Sequence, residues 1–116
     1  MSENLIPNFR HLLVDSIRRL AAEPPDMRAK LVEERLPPEE LRLQWEDYYC
    51  VIASGNKEAI AMFSDEQLVA LQELDRYLWS LPPEPDLMWN WDHLEESPWP
   101  SIRLRANQLL ALIQPS

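Results

Sequence analysis

The chain has 116 residues, 46% of them apolar, which is enough for one domain with its own core and too apolar for general disorder. A formal charge of −9 argues against nucleic-acid phosphates as a partner and favours basic surfaces. One cysteine and no run near 18 consecutive apolar residues exclude an internal disulfide and a membrane span, and point to a reducing, cytoplasmic setting.

The opening stretch, MSENLIPNFRHLLV, has no basic segment followed by an apolar one and a small-residue cleavage site, so no export signal is expected. A first helix is predicted from Asn8 to Ala22, with Phe9, Leu13, Ile17 and Leu20 as its apolar stripe and Leu12 beside it. Pro7 suits its first turn and Pro24-Pro25 its end. Arg10, Arg18 and Arg19 fall off the stripe, on what reads as a solvated face. A shorter helix fits Asp26 to Leu36, with Met27, Leu31, Val32 and Leu36 apolar and Pro37-Pro38 closing it.

A third helix is predicted from Pro38 to Ser54. Leu36 and Leu41 can staple its start, and Glu39 and Glu40 suit the positive end of its dipole. Leu41, Trp45, Tyr48 and Ile52 make its main stripe. Leu43 and Cys50 make a second seam, so this helix should pack between neighbours with Cys50 as a buried small hydrophobe. Gly55, the one glycine, stands where a helix end calls for left-handed backbone. Asn56 can cap a short helix over 57–62.

The surest element is SDEQLVALQELDRYLWSL, residues 64–81. Ser64 and Gln67 form a capping box, Phe63 and Leu68 a hydrophobic staple, and Asp65 and Glu66 lie in the first turn. Leu71, Leu74, Leu78 and Leu81 recur on one face, and Pro82-Pro83 stop the helix. Residues 82–99 then form a connector with five acids, three tryptophans and no base. A turn or two of helix around Leu87 to Leu94, capped by Asp86, is possible within it. Ser97 and Pro98 open a last helix whose stripe is Trp99, Ile102, Ala106, Leu109 and Ile113. No period-two alternation and no hairpin signals occur. The fold class is therefore all-α, a single-domain bundle over 1–116 of four to five main helices with a Trp-rich acidic connector before the last.

Chemistry is sparse. Glycine occurs once, so a phosphate-cradling loop or close cofactor approach is hard to build, and no nucleophile motif is present. His11 and Asp15, four apart, read as a solvated pair rather than metal ligands. His93, set among carboxylates, should gain proton affinity, but the residues around it do not complete a metal site. Glu33-Glu34, Glu39-Glu40 and Glu95-Glu96 sit at helix ends and loops, where exposure explains them better than acid–base work. No catalytic residue, metal or cofactor is expected, and the protein is read as not an enzyme.

Charge and tryptophan are more informative. Residues 1–36 hold six acids and six bases, whereas 37–116 hold fourteen acids and five bases. Trp45 and Trp99 lie on core stripes, but Trp79 falls off its leucine face, and Trp89 and Trp91 are two apart, so one helix cannot bury both. A Trp-rich connector can pin itself onto the bundle and seal the core, the commoner arrangement, but aromatic anchors in a charged surround are also what interface hot spots are made of. The predicted partner-binding residues are accordingly Trp79, Glu84, Asp86, Trp89, Trp91, Asp92, His93, Glu95 and Glu96. In general character the chain resembles small bacterial immunity proteins, anti-activators and DNA mimics, a likeness of class only. The expected function is a small acidic interaction module that docks a basic protein partner and can inhibit it. The alternatives are a homo-oligomer built through the spare seam or Trp79, and a bundle with a small-ligand pocket.

Overall fold

The computed structural model describes residues 6–36, 39–81 and 99–113. Six helices are present among them and no strand: α1 (Ile6–Ala21), α2 (Pro24–Glu34), α3 (Glu39–Ala53), α4 (Lys57–Ile60), α5 (Asp65–Trp79) and α6 (Trp99–Ile113). The all-α expectation holds. Pro37-Pro38, the Pro82-Pro83 stop, the Asp86-capped turns and the Ser97 cap lie outside the described residues.

Four long helices form an up-down-up-down bundle. Each of α1, α3, α5 and α6 packs on the next, with α6 returning to α1 to close the square. The directions follow from the contacts. Leu41, at the start of α3, lines one depression with Arg18 and Ala22 at the end of α1. Trp45 on α3 reaches Asp75 late in α5, and Gln67 early in α5 reaches Leu112 at the end of α6. The buried faces are the periodic ones: Phe9, Leu13, Ile17 and Leu20 on α1, Leu71, Leu74 and Leu78 on α5, and all five predicted positions on α6. Trp45 and Trp99 are fully enclosed.

The first and last helices clasp each other at both ends. Arg10, one turn into α1, donates to the Ile113 carbonyl at 3.2 Å. Arg103, one turn into α6, donates through Nε to the Ala22 carbonyl at 2.9 Å, and Asn107 reaches the Ala21 carbonyl at 3.4 Å. Carbonyls at a helix C-terminus have no partner within the helix and carry its negative pole, so a guanidinium there satisfies both needs. The expectation that the α1 arginines merely face solvent is corrected for Arg10 and Arg19. Arg19 forms a two-pronged contact with Glu34, 2.5 and 2.9 Å, and also bonds Asp15 at 3.2 Å, which fastens α2 back onto α1.

Local stops and starts explain the connections. Pro24 and Pro25 open α2 as its first two residues, where the missing N–H costs nothing. Arg35 then adopts left-handed backbone, φ 59° and ψ 42°, so that the Leu36 N–H can reach the Leu31 carbonyl at 2.9 Å. This Schellman-type end favours glycine. Arg35→Gly should therefore raise stability by about 0.5–1 kcal/mol, the relief of left-handed strain less the added freedom of the unfolded chain, read as a higher urea midpoint at unchanged slope. Gly55 has φ 90° and ends α3 as expected, and Asn56 accepts the Ala59 N–H at 3.0 Å to start α4. The Ser64–Gln67 capping box is formed in both directions, at 3.1 and 2.9 Å.

Three details depart from the sequence reading. On α3 the enclosed aromatic beside Trp45 is Tyr49 rather than Tyr48, which is half-buried. Cys50 is exposed and not buried, and its thiol donates to the Asp47 carbonyl at 3.0 Å. Val32, counted on the α2 stripe, is exposed as well. The cause is the same for α3 as for α2: a neighbour covers only part of each apolar arc, and its position selects which residues are enclosed.

Candidate functional site

The four sides of the bundle are not equally closed. α1 and α6 mesh along their lengths, whereas α3 and α5 touch sparsely and leave an open seam. At one end it is lined by Tyr49, Ile52, Ala53, Ile60, Leu68, Val69 and Gln72, enclosing about 320 Å³. At the other it is lined by Glu46, Tyr49, Cys50, Ala53, Asp75 and Trp79, enclosing about 150 Å³. Tyr49 and Ala53 line both, so the two depressions adjoin end to end along the α3–α5 seam and are treated together as its groove.

Trp79 stands at the end of this groove with 65% of its surface exposed. Its place at the end of α5, off the leucine face, follows from helical geometry. Arg42 on α3 lies 6.0 Å from the indole centroid and is paired with Glu46 at 3.4 Å, a cation–π contact that steadies an otherwise exposed ring. Beneath it, Trp45 stacks on Tyr49 with centroids 5.1 Å apart and planes 8° from parallel. The Trp45 Nε1–H donates to Asp75 at 2.9 Å. Burial, together with the nearby Asp75 charge, pushes the Tyr49 phenol above its ordinary range.

Charge is segregated across the bundle. Residues 39–79, which build α3, α4 and α5, hold nine acids and three bases, a net of −6. Residues 6–36 and 99–113, which build α1, α2 and α6, hold five acids and eight bases, a net of +3. The open groove lies in the acidic half and the arginine-clasped pair in the other.

Of the nine residues predicted to meet a partner, Trp79 is described and exposed. Glu84, Asp86, Trp89, Trp91, Asp92, His93, Glu95 and Glu96 lie outside the described residues. Sequence reasoning missed the α3 wall, Glu46, Tyr49, Cys50 and Ala53. Their signal was present in the spacing 46, 49/50, 53, but it reads as a continuation of the core stripe until the gap between α3 and α5 is seen.

A second depression of about 230 Å³ lies between α1 and α2, floored by Ala22, Met27, Leu31 and Leu41 and rimmed by Arg18, Arg19, Asp26 and Lys30. Its cations serve the fold. Arg19 holds Glu34 and Asp15, and Lys30 lies 4.0 Å from Glu34. The Arg19 hydrogen bond, with lesser help from the charges of Arg19 and Lys30, holds the Glu34 carboxyl below its ordinary range. A carboxyl with a lowered folded pKa contributes its stability above its unfolded pKa and loses it as pH falls through the folded one. Glu34→Gln should therefore destabilise at pH 7 by an amount that shrinks below about pH 4.5, the ordinary value for this group, and vanishes in stronger acid. Paired thermal melts of the two proteins across pH 2–7 check this.

Among the described residues no three side chains able to ligate a metal come together, and no described helix is long and apolar enough to cross a membrane. Comparison with protein families, curated proteins and solved structures finds no match to this chain.

Proposed function

We propose that this protein is a small acidic interaction module that docks a basic protein partner in the cytoplasm and inhibits it, in the manner of an immunity protein or anti-activator. The observation that carries this is the charge segregation: a half-bundle of net −6 that also contains the open groove and the exposed Trp79. Such a face raises the local concentration of basic proteins and speeds their encounter, while the exposed tryptophan offers an anchor that a partner would desolvate, of the kind that dominates interface energies. The protein acts by binding and not by catalysis. The described histidine, His11, is exposed, and Glu34 is engaged by Arg19.

The test is affinity capture from native lysate at low salt, elution by a salt step, identification by mass and titration of the purified partner against the purified chain. A basic protein released by salt and rebinding at a fixed stoichiometry supports the function, because salt screens exposed charge pairs. A chain that retains nothing, or only salt-insensitive acidic proteins, overturns it. Opposite charge on opposite faces also favours a second reading, self-association of copies, which sedimentation over a range of concentrations decides.

A further inference from the structure

We infer that the α3–α5 groove is the docking site for a basic amphipathic helix presented by the partner. The inference rests on the interaction function above and adds to it the place and shape of contact.

Length comes first. From Leu68 to Trp79 the groove follows three turns of α5, about 16 Å. A partner helix with apolar residues at i, i+4, i+7 and i+11 would set four side chains along about that distance, as helix-in-groove complexes do. The floor is apolar, made by Tyr49, Ile52 and Leu68, and the ends carry Val69, 55% exposed, and Trp79, 65% exposed. The ring of Trp79 is already held over Arg42, so less side-chain freedom is lost when a partner covers it.

Charge selects the occupant. Glu46 and Asp75 stand on the groove walls, and Asp65 and Glu66 lie one turn before Val69 on α5. Among the described residues two bases stand near the groove's Trp79 end: Arg42, which is paired with Glu46, and the exposed Arg76, one turn before Trp79 on α5. The acidic excess therefore lies with the half-bundle as a whole and with Asp65 and Glu66 at the other end. Residues 82–98 of the chain itself hold five acids and no base, so laying them over this half would set like charge against like. A second copy docking through the same face on a twofold axis meets the same repulsion. A helix with Lys and Arg flanking an apolar stripe gains on both counts.

The probe is a synthetic helical peptide of leucine and lysine with leucines at three-four spacing, compared with its glutamate counterpart, titrated into the full chain by fluorescence anisotropy. The lysine peptide should bind at least about tenfold more tightly than the glutamate one. Trp79→Ala should weaken it at least about tenfold and Val69→Lys by several fold, whereas Leu104→Ala, equally exposed but on α6, should change it less than twofold. Cys50, the single thiol of the chain, lines the groove, so saturating peptide should slow its alkylation by a maleimide at least about fivefold. Circular dichroism of each variant separates lost binding from lost folding.

Lysine-peptide binding indifferent to Trp79→Ala, with Cys50 unprotected, overturns the groove while salt-released capture keeps the broader function standing. A Trp89→Ala/Trp91→Ala variant of the full chain that binds the peptide tenfold more tightly overturns it too, because the chain's own connector would then be the occupant. Self-association abolished by Trp79→Ala names a second copy instead, and equally overturns it.

Discussion

Replacing Trp45 with alanine should remove about 3–5 kcal/mol of stability, the usual range for deleting a fully buried tryptophan. The side chain has no exposed surface and stacks on Tyr49, so its loss opens a cavity at the junction of α3 and α5. It also takes the Nε1–H away from Asp75, leaving a carboxylate that must find water in a partly buried place. Against a total of roughly 5–15 kcal/mol for a domain of this size, the variant should melt roughly 10 °C or more below the parent. Urea denaturation followed by far-ultraviolet circular dichroism is the direct measurement. Trp45→Phe keeps a ring against Tyr49 and should cost only about 1–3 kcal/mol. A cycle with Asp75→Ala isolates the hydrogen bond, because the second substitution should cost less once the indole donor is gone.

Arg103→Ala should cost about 2–4 kcal/mol, a large effect for a charged residue. The side chain is buried to 8% exposure, spans from α6 to the Ala22 carbonyl and lies 5.7 Å from the Trp99 centroid. Its removal strands a carbonyl at the end of α1 and uncovers part of an aromatic core residue, so lost packing and lost hydrogen bonding add. Arg103→Met should recover roughly half of the loss, the part due to the aliphatic stem. Hydrogen exchange of the last turn of α1 should accelerate in both variants. Arg10→Ala, at the half-exposed opposite end of the clasp, should cost about 1 kcal/mol.

Periodicity and capping chemistry were enough to locate α1, α5 and α6, because those signals are local. Ser64 and Gln67 need only each other, and Trp99, Ile102, Ala106, Leu109 and Ile113 recur on one face of α6 that α1 and α5 cover together. On α3 the same rule picked Tyr48, although spacings of three and four share an arc and Tyr49 fits it as well. Tyr49 stacks on Trp45 four residues before it, and Trp45 is in turn fixed by Asp75, a partner thirty residues away in the chain that no wheel displays. Cys50 was misplaced for the complementary reason: its apolar character fits a second seam, but α5 stands far enough from α3 there to leave an open groove. The arginines were read as surface because charge off a stripe usually is. Arg10 instead reaches a carbonyl at the end of α6 and Arg19 the carboxylate of Glu34 on α2, targets that become visible only once the order of packing is known.

The clasp between α1 and α6 also sets a schedule for synthesis. The helix that covers the Phe9–Leu20 face most fully begins at Trp99, about 80 residues after α1 ends. At roughly 5–20 residues per second, α1 leaves the ribosome some 4–16 s before its main partner is made. During that interval α3 can shield one flank, while the flank meant for Trp99 and Ile102 stays wet. The earliest helix is thus the last to be finished, and slowing translation between α5 and α6 would lengthen the time in which the nascent chain can be captured by a chaperone or a protease.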